Sequence, residues 1–151
     1  DTELHPIPVG KGEVLRHGED VAILAVGAMV APALEAAQEL ASNGIEATVV
    51  NARFVKPLDS ELIIDLAGHI KRVVTVEENI ISGGFGSRVL DLLQESGIND
   101  IHVESIGLPD GFIEHGEPGV LRSRYGLDVE GIMRRVLSLF PAVDAGARGG
   151  R

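Results

Sequence analysis

Arg72-Val73-Val74-Thr75-Val76, continuing into Glu77-Glu78-Asn79 and then Gly83-Gly84-Phe85-Gly86-Ser87, is the stretch whose reading decides the fold. A short run rich in β-branched residues predicts a strand ending near Val76. The glycine cluster predicts a tight turn. Val89, Leu92 and Leu93 then give a helix an apolar inward face, and Gly97 closes it. The unit is strand, turn, helix.

Two earlier units have the same form. Val21-Ala22-Ile23-Leu24-Ala25-Val26 is apolar throughout, as a strand covered on both faces must be. A helix is predicted from about Val30, with Val30, Leu34, Ala37 and Ala41 on one face. Pro32 is tolerable in its first turn, and Asn43-Gly44 stops it. Ala47-Thr48-Val49-Val50 is the next strand. Asp59 then reads as the N-cap of a helix facing inward through Leu62, Ile63, Leu66 and Ala67. Further on, Ile101 to Ile106 predicts a fourth core strand, and Gly12 to Arg16 a short antiparallel edge strand. The stretch from Gly107 to Gly119 reads as irregular. Helices are expected around Val120 to Arg124 and Val129 to Phe140, the second capped by Asp128. The tail from Asp144 to Arg151 lacks apolar periodicity and reads as disordered, leaving residues 1–143 as one domain. Alternating strands and helices imply the α/β class, with three layers (αβα) and right-handed crossovers. The sheet is expected to be mostly parallel, of about five strands, with one antiparallel edge strand.

Composition narrows the function. The chain has 151 residues, a formal net charge of −10 and no cysteine. Disulfides, thiol nucleophiles and thiolate metal sites are excluded. The acidic balance and scarce aromatics argue against nucleic acid or an anionic membrane as partner. No apolar run approaches the roughly 20 residues that span a bilayer. The chain starts at Asp1 without an initiating Met, as expected of a processed or trimmed product or a piece of a longer polypeptide.

The chemistry-bearing candidates cluster after strand ends. A glycine-rich turn opening a helix presents backbone N–H groups to an anion, so Gly83, Gly84, Gly86 and Ser87 form a candidate anion or interface loop. The simpler reading is a tight turn that lets helix and sheet approach closely. The turn is not the G-x-G-x-x-G fingerprint, and no phosphate-loop lysine follows it. Glu77 and Glu78 would repel an anion beside them. Being adjacent on a strand, they point to opposite faces and do not converge as a catalytic pair, so a surface or interface role is expected. Arg53 and Lys56, after another strand, could hold an anion or pair with acids across an interface. His115 lies in a loop beyond a strand end, with general acid/base work or a hydrogen-bonded contact as the alternatives. No histidine pair has metal-ligand spacing, and no metal site or catalytic residue is assigned.

Taken together, these segments carry a resemblance. Pro8-Val9-Gly10-Lys11-Gly12-Glu13 with Asp20 to Gly27 resembles the start of the carboxy-terminal domain of transketolase-type enzymes. Asn51-Ala52-Arg53-Phe54-Val55-Lys56-Pro57-Leu58-Asp59 is similar to the second strand–helix joint of the 1-deoxy-D-xylulose-5-phosphate synthase family. Val74 to Asn79 with Gly83 to Ser87 resembles the next joint. Ile106 to Asp110 and Phe112-Ile113-Glu114-His115-Gly116 resemble the loop after the last core strand, and Tyr125 to Asp128 with Gly131-Ile132 the entry to the final helix. The match covers about residues 7 to 140.

The resemblance implies a transketolase C-terminal-like domain within a homodimeric thiamine-dependent transferase. That enzyme condenses pyruvate with glyceraldehyde 3-phosphate into 1-deoxy-D-xylulose 5-phosphate, a precursor for isoprenoids, thiamine and pyridoxal. Its thiamine diphosphate and Mg2+ sit between upstream domains, so no cofactor is expected in this chain. The Gly-Asp-Gly and paired-asparagine motif that binds them is absent from the sequence. The partners implied are the upstream thiamine-binding domains and a second copy, and the location a bacterial cytoplasm or a plant plastid. The equivalent domain of a transketolase or of a 2-oxoacid dehydrogenase β subunit, and a freestanding anion-binding module, are the rival readings.

Overall fold

Val21–Ala25 has essentially no exposed surface along its whole length, because it is the middle strand of a sheet covered on both faces. In the computed structural model, which describes residues 6–110 and 117–140, the strands are β1 (Glu13–Arg16), β2 (Val21–Ala25), β3 (Ala47–Asn51), β4 (Arg72–Ile80) and β5 (His102–Leu108). The helices are α1 (Val30–Ser42), α2 (Ser60–His69), α3 (Phe85–Glu95), α4 (Pro118–Arg124) and α5 (Val129–Leu137), with a short 3-10 turn at Gly27–Met29 before α1. His115 and the tail from residue 144 lie outside the described residues.

The strand order is β1-β3-β2-β4-β5. β2 pairs in parallel with β3 (Ile23 opposite Val49) and with β4 (Ile23 opposite Val74). β5 adds in parallel to β4, whereas β1 runs antiparallel along β3. This is the expected five-stranded mixed sheet. The chain winds from β2 outward to β3, then returns to β4 on the other side. The strand order therefore reverses between β2 and β4, and a crevice outside their carboxyl ends is where such sheets hold ligands.

Each sheet face carries its own core. On one face Ile23, Val49, Val74 and Val76 pack with Ala33, Ala37 and Leu40 of α1 and with Ile132 and Val136 of α5. On the other, Leu24, Val50 and Val73 pack with Ile63 and Leu66 of α2 and with Phe85, Val89 and Leu93 of α3. The period-two alternation of β4 sends Val74 and Val76 to the first core and Val73 to the second. Each fully buried aliphatic side chain contributes roughly 1.5–3 kcal/mol. Asp59 caps α2 by accepting from Leu62 N–H (3.2 Å) and also accepts from Gly12 N–H (2.9 Å). One carboxylate thus fastens the β1 edge to the start of α2. Asp128 caps α5 by accepting from Gly131 N–H (2.8 Å).

Several element details differ from the sequence reading. The buried face of α1 is Ala33, Ala36, Ala37 and Leu40, with Val30 and Leu34 only flanking it. Small alanines let α1 lie close to its neighbours, so residues of low hydrophobicity hold the central positions. β4 continues to Ile80 rather than ending at Val76, because Ile80 still pairs with Leu108 across a register shift. Gly107 and Leu108 accordingly belong to β5 and not to a loop. α4 begins at Pro118, where a proline suits the first helical turn. α5 ends at Leu137.

Leu40 is fully buried and Val120 is 66% exposed. Leu40→Ala is expected to lower unfolding free energy by roughly 2–5 kcal/mol, and Val120→Ala to change it by no more than about 0.5 kcal/mol. Urea titrations followed by circular dichroism check both.

Candidate functional site

The carboxyl ends of β4 and β5 meet the start of α3 around one buried carboxylate. β4 runs into the glycine turn, and its alternation points Glu77 to the α3 face while Glu78 goes to the other. Glu77 has no exposed surface. Its two oxygens accept from Phe85 N–H (2.9 Å) and Gly86 N–H (2.6 Å). These are first-turn donors of α3, which lack partners inside the helix and face its positive end. The side chain at the helix start thus plays the part that a bound anion plays elsewhere.

The rest of the turn is closed internally as well. Gly83 N–H donates to Ser87 Oγ (3.1 Å), whose hydroxyl donates to Ile81 O (2.7 Å). Gly84 N–H donates to Ile81 O (3.1 Å). Thr75 Oγ1 and Ser105 Oγ form a hydrogen bond (3.0 Å) between β4 and β5 directly beneath Gly86. A Cβ on Gly86 would stand 2.8 Å from each of those oxygens, and one on Gly84 would collide with Glu77 Oε1 and Ile80 O. Gly84 is required by close approach to the carboxylate, and Gly86 by close approach to the two hydroxyls beneath it.

Burial pushes the Glu77 carboxyl above its ordinary pKa, and the N–H groups of Gly86 and Phe85 pull it back only in part. The sequence reading expected a surface or interface role for Glu77. Burial inside this chain corrects that for Glu77, while Glu78 remains exposed and pairs with Arg122 of α4. The detectable signal was the alternation itself, which puts Glu77 in line with Val73 and Thr75, eight and nine residues before the two N–H donors it meets.

Arg53 adopts a positive φ of 60°. Its N–H donates to Asn51 Oδ1 (3.1 Å), and its guanidinium pairs with Glu13 of β1. It is tied to the edge-strand side and does not line the space beside the glycine turn. Lys56 does. Together with Glu78, Asn79, Ile80, Gly83 and Gly84 it borders an open cleft of about 800 Å3 at the strand ends. Ile80 is exposed in that cleft. Among the described residues no group of three or more His, Asp or Glu is placed to hold a metal ion, and no helix is long and apolar enough to cross a membrane. With Glu77 enclosed and Glu78 ion-paired, the cleft presents an apolar rim and a lysine amine, an arrangement suited to contact.

Comparison with known proteins decides the family. The family described as transketolase, C-terminal domain, matches residues 10–132. The chain belongs to the transketolase C-terminal domain family. Among relatives of this transketolase C-terminal domain, 1-deoxy-D-xylulose-5-phosphate synthase 2 of Geobacter sulfurreducens is 55% identical over 140 residues, covering 92% of this chain and 22% of the relative. The 1-deoxy-D-xylulose-5-phosphate synthase of Dehalococcoides mccartyi is 54% identical over 140 residues, with the same two coverages. The chain therefore spans about a fifth of the length of these relatives. A solved structure of a split-gene transketolase, an inactive β4 tetramer, superposes with a TM-score of 0.81 at 40% identity, over 87% of this chain and 43% of that one. The transketolase of Campylobacter jejuni shares the fold, with a TM-score of 0.61 at 20% identity over 85% of this chain and 18% of that one.

Glu77→Gln keeps the shape but turns an amide NH2 toward one of the two backbone donors, and is expected to cost roughly 1–3 kcal/mol. The folded protein holds the Glu77 proton to higher pH than the unfolded chain. Stability from this group is therefore greatest below the ordinary value of 4.5 and declines as pH rises through the folded value. The gap between wild type and Glu77→Gln should be widest in acid and narrow toward neutral pH. Denaturant unfolding of both proteins across that range is the measurement.

Proposed function

We propose that this chain is the carboxy-terminal domain of a 1-deoxy-D-xylulose-5-phosphate synthase and supports an active site built by other parts of that enzyme. The observation that carries the reading is identity above 50% to such synthases over nine-tenths of this chain, confined to about a fifth of each relative. The activity proposed for the whole enzyme is condensation of pyruvate with glyceraldehyde 3-phosphate to 1-deoxy-D-xylulose 5-phosphate, in a cytoplasmic homodimer.

Thiamine diphosphate supplies an electron sink for such chemistry, and needs a diphosphate cradle and metal ligands. The described residues do not fit that demand. The helix start most like a cradle, at Phe85 and Gly86, is filled by the Glu77 carboxylate, and Glu78 beside it is paired with Arg122. The cofactor and Mg2+ are therefore assigned to the remainder of the enzyme. This domain contributes a rigid sheet whose strand-end cleft, with Ile80 and Lys56 on its rim, meets a neighbouring domain or the second copy. A transketolase parent is supported less well, since the split-gene neighbour is 40% identical.

A domain exchange tests the proposal. Replacing the matching region of the Geobacter sulfurreducens synthase with this chain should preserve product formation within about tenfold of the unaltered enzyme, a difference of about 1.4 kcal/mol. The chain alone should form no product. A folded but inactive hybrid, or synthesis of the sugar phosphate by the isolated chain, would refute it.

A further inference from the structure

The geometry points to a second site, independent of the strand-end cleft and of the synthase assignment: a pocket between α4, α5 and β5 that binds a small phosphate monoester. The pocket has a volume of about 390 Å3 and is lined by Arg124, Arg134, Arg135, Ser123, Ser138 and Ile106, among others. Residues 131, 134, 135 and 138 recur at helical spacing, so one face of α5 forms a wall, and the last turn of α4 forms the opposite one.

Charge distinguishes this place from the rest of the molecule. The chain carries 23 acidic and 13 basic residues, yet three arginines line one pocket. Arg135 is engaged, donating to Glu104 (2.9 Å) at the edge of β5. Glu104 in turn is held below its ordinary pKa by His102 and by Arg135, so it stays ionised and Arg135 stays fixed. Arg124 and Arg134 are both exposed, and no carboxylate of the described residues lies within ion-pair distance of either. Arg124 only flanks the Tyr125 ring, 5.9 Å from its centroid.

Cations in a last helical turn can serve the helix terminus, but here the backbone already does so. Leu127 N–H closes onto Arg122 O (2.7 Å), Gly126 N–H onto Ser123 O (3.3 Å) and Tyr125 N–H onto Leu121 O (3.1 Å). In α5, Ser138 N–H donates to Arg134 O (3.0 Å). The two guanidinium groups are not needed there.

Planar guanidinium forks match phosphate oxygens and hold them bidentately. Ser123 offers a further hydroxyl at the rim. The volume lies in the range of small-ligand clefts and exceeds that of a bare anion, which displaces only a few waters of roughly 30 Å3 each. Gly126 and Gly131, also at the pocket, pack main chain against main chain, a Cβ on Gly131 standing 2.4 Å from Gly126 Cα. Backbone thus closes that side, and the organic part is accommodated by the open volume between the arginines. A phosphorylated metabolite with a small polar body satisfies both the charge and the space.

Isothermal titration calorimetry on the 151-residue chain, at fixed ionic strength, tests this with glycerol 3-phosphate, inorganic phosphate and glycerol as probes. Saturable one-to-one binding of glycerol 3-phosphate is expected, tighter than inorganic phosphate, with none for glycerol. Arg124→Gln and Arg134→Gln, both surface changes, should each weaken it about tenfold, equivalent to about 1.4 kcal/mol. Arg16→Gln, which breaks the ion pair with Glu46 on the far edge of the sheet, should leave it unchanged. Amide resonances of Ser123, Gly126 and Gly131 should shift on titration, reporting the site directly. Absence of saturable binding by either phosphate probe overturns the proposal. So does equal weakening by Arg16→Gln, which would mean diffuse charge, or inorganic phosphate binding as tightly as the monoester, which would make the ligand the bare anion. Flat titrations accompanied by weakened association of the two arginine variants with a parent enzyme would assign the arginines to a protein contact and equally refute the monoester.

Discussion

A glutamate carboxylate held inside the protein against the first N–H groups of a helix is the interaction on which the arrangement of this domain depends. Glu77 sits at the end of the fully buried part of β4, and Phe85 and Gly86 open α3. The bond therefore spans the joint between sheet and helix. Two first-turn donors of α3 are satisfied by it, and the carboxylate is satisfied by them. Removing either side leaves a buried polar group without a partner, a more expensive condition than never having buried it. The glycines at 84 and 86 are consequences of the same contact, because side chains there would occupy the space of the carboxylate and of the Thr75–Ser105 bond.

That constraint also sets what the strand-end crevice can do. In doubly wound sheets the crevice at the reversal of strand order is the usual ligand site, and a helix start supplies the phosphate donors. Here the donors at α3 face inward to the protein's own acid. What remains at the surface is an open cleft with an exposed isoleucine and a lysine on its rim, suited to contact more than to chemistry. The family assignment and the limited share of each relative that the chain spans fit a domain acting as part of a larger assembly.

Much of this was legible in the residues. Val21–Ala25 is apolar on both faces because it is central, and that alone indicates a covered sheet. Asp59 and Asp128 signal their helices as caps, and each does accept an N–H in the first turn. The α1 face was misread because its innermost residues are alanines, whose burial follows from close packing and leaves a weak periodic signal. The end of β4 was misplaced because Glu77-Glu78-Asn79 looks like the start of a polar loop. Only the tertiary partner, an N–H pair in the following helix, makes a buried glutamate acceptable. The grouping of Arg124, Arg134 and Arg135 was invisible for a similar reason. Arg124 is separated from Arg134 and Arg135 by the turn between α4 and α5, and the three come to line one pocket only in the folded chain.

Amide hydrogen exchange at Phe85 and Gly86 tests most directly whether the Glu77 carboxylate closes the helix start. Both N–H groups are expected to exchange only through large-scale opening, at rates close to those of the β2 amides, and to accelerate markedly in Glu77→Ala. Rapid exchange at these two positions in the unmodified protein, or unchanged protection once the carboxylate is removed, would contradict the account.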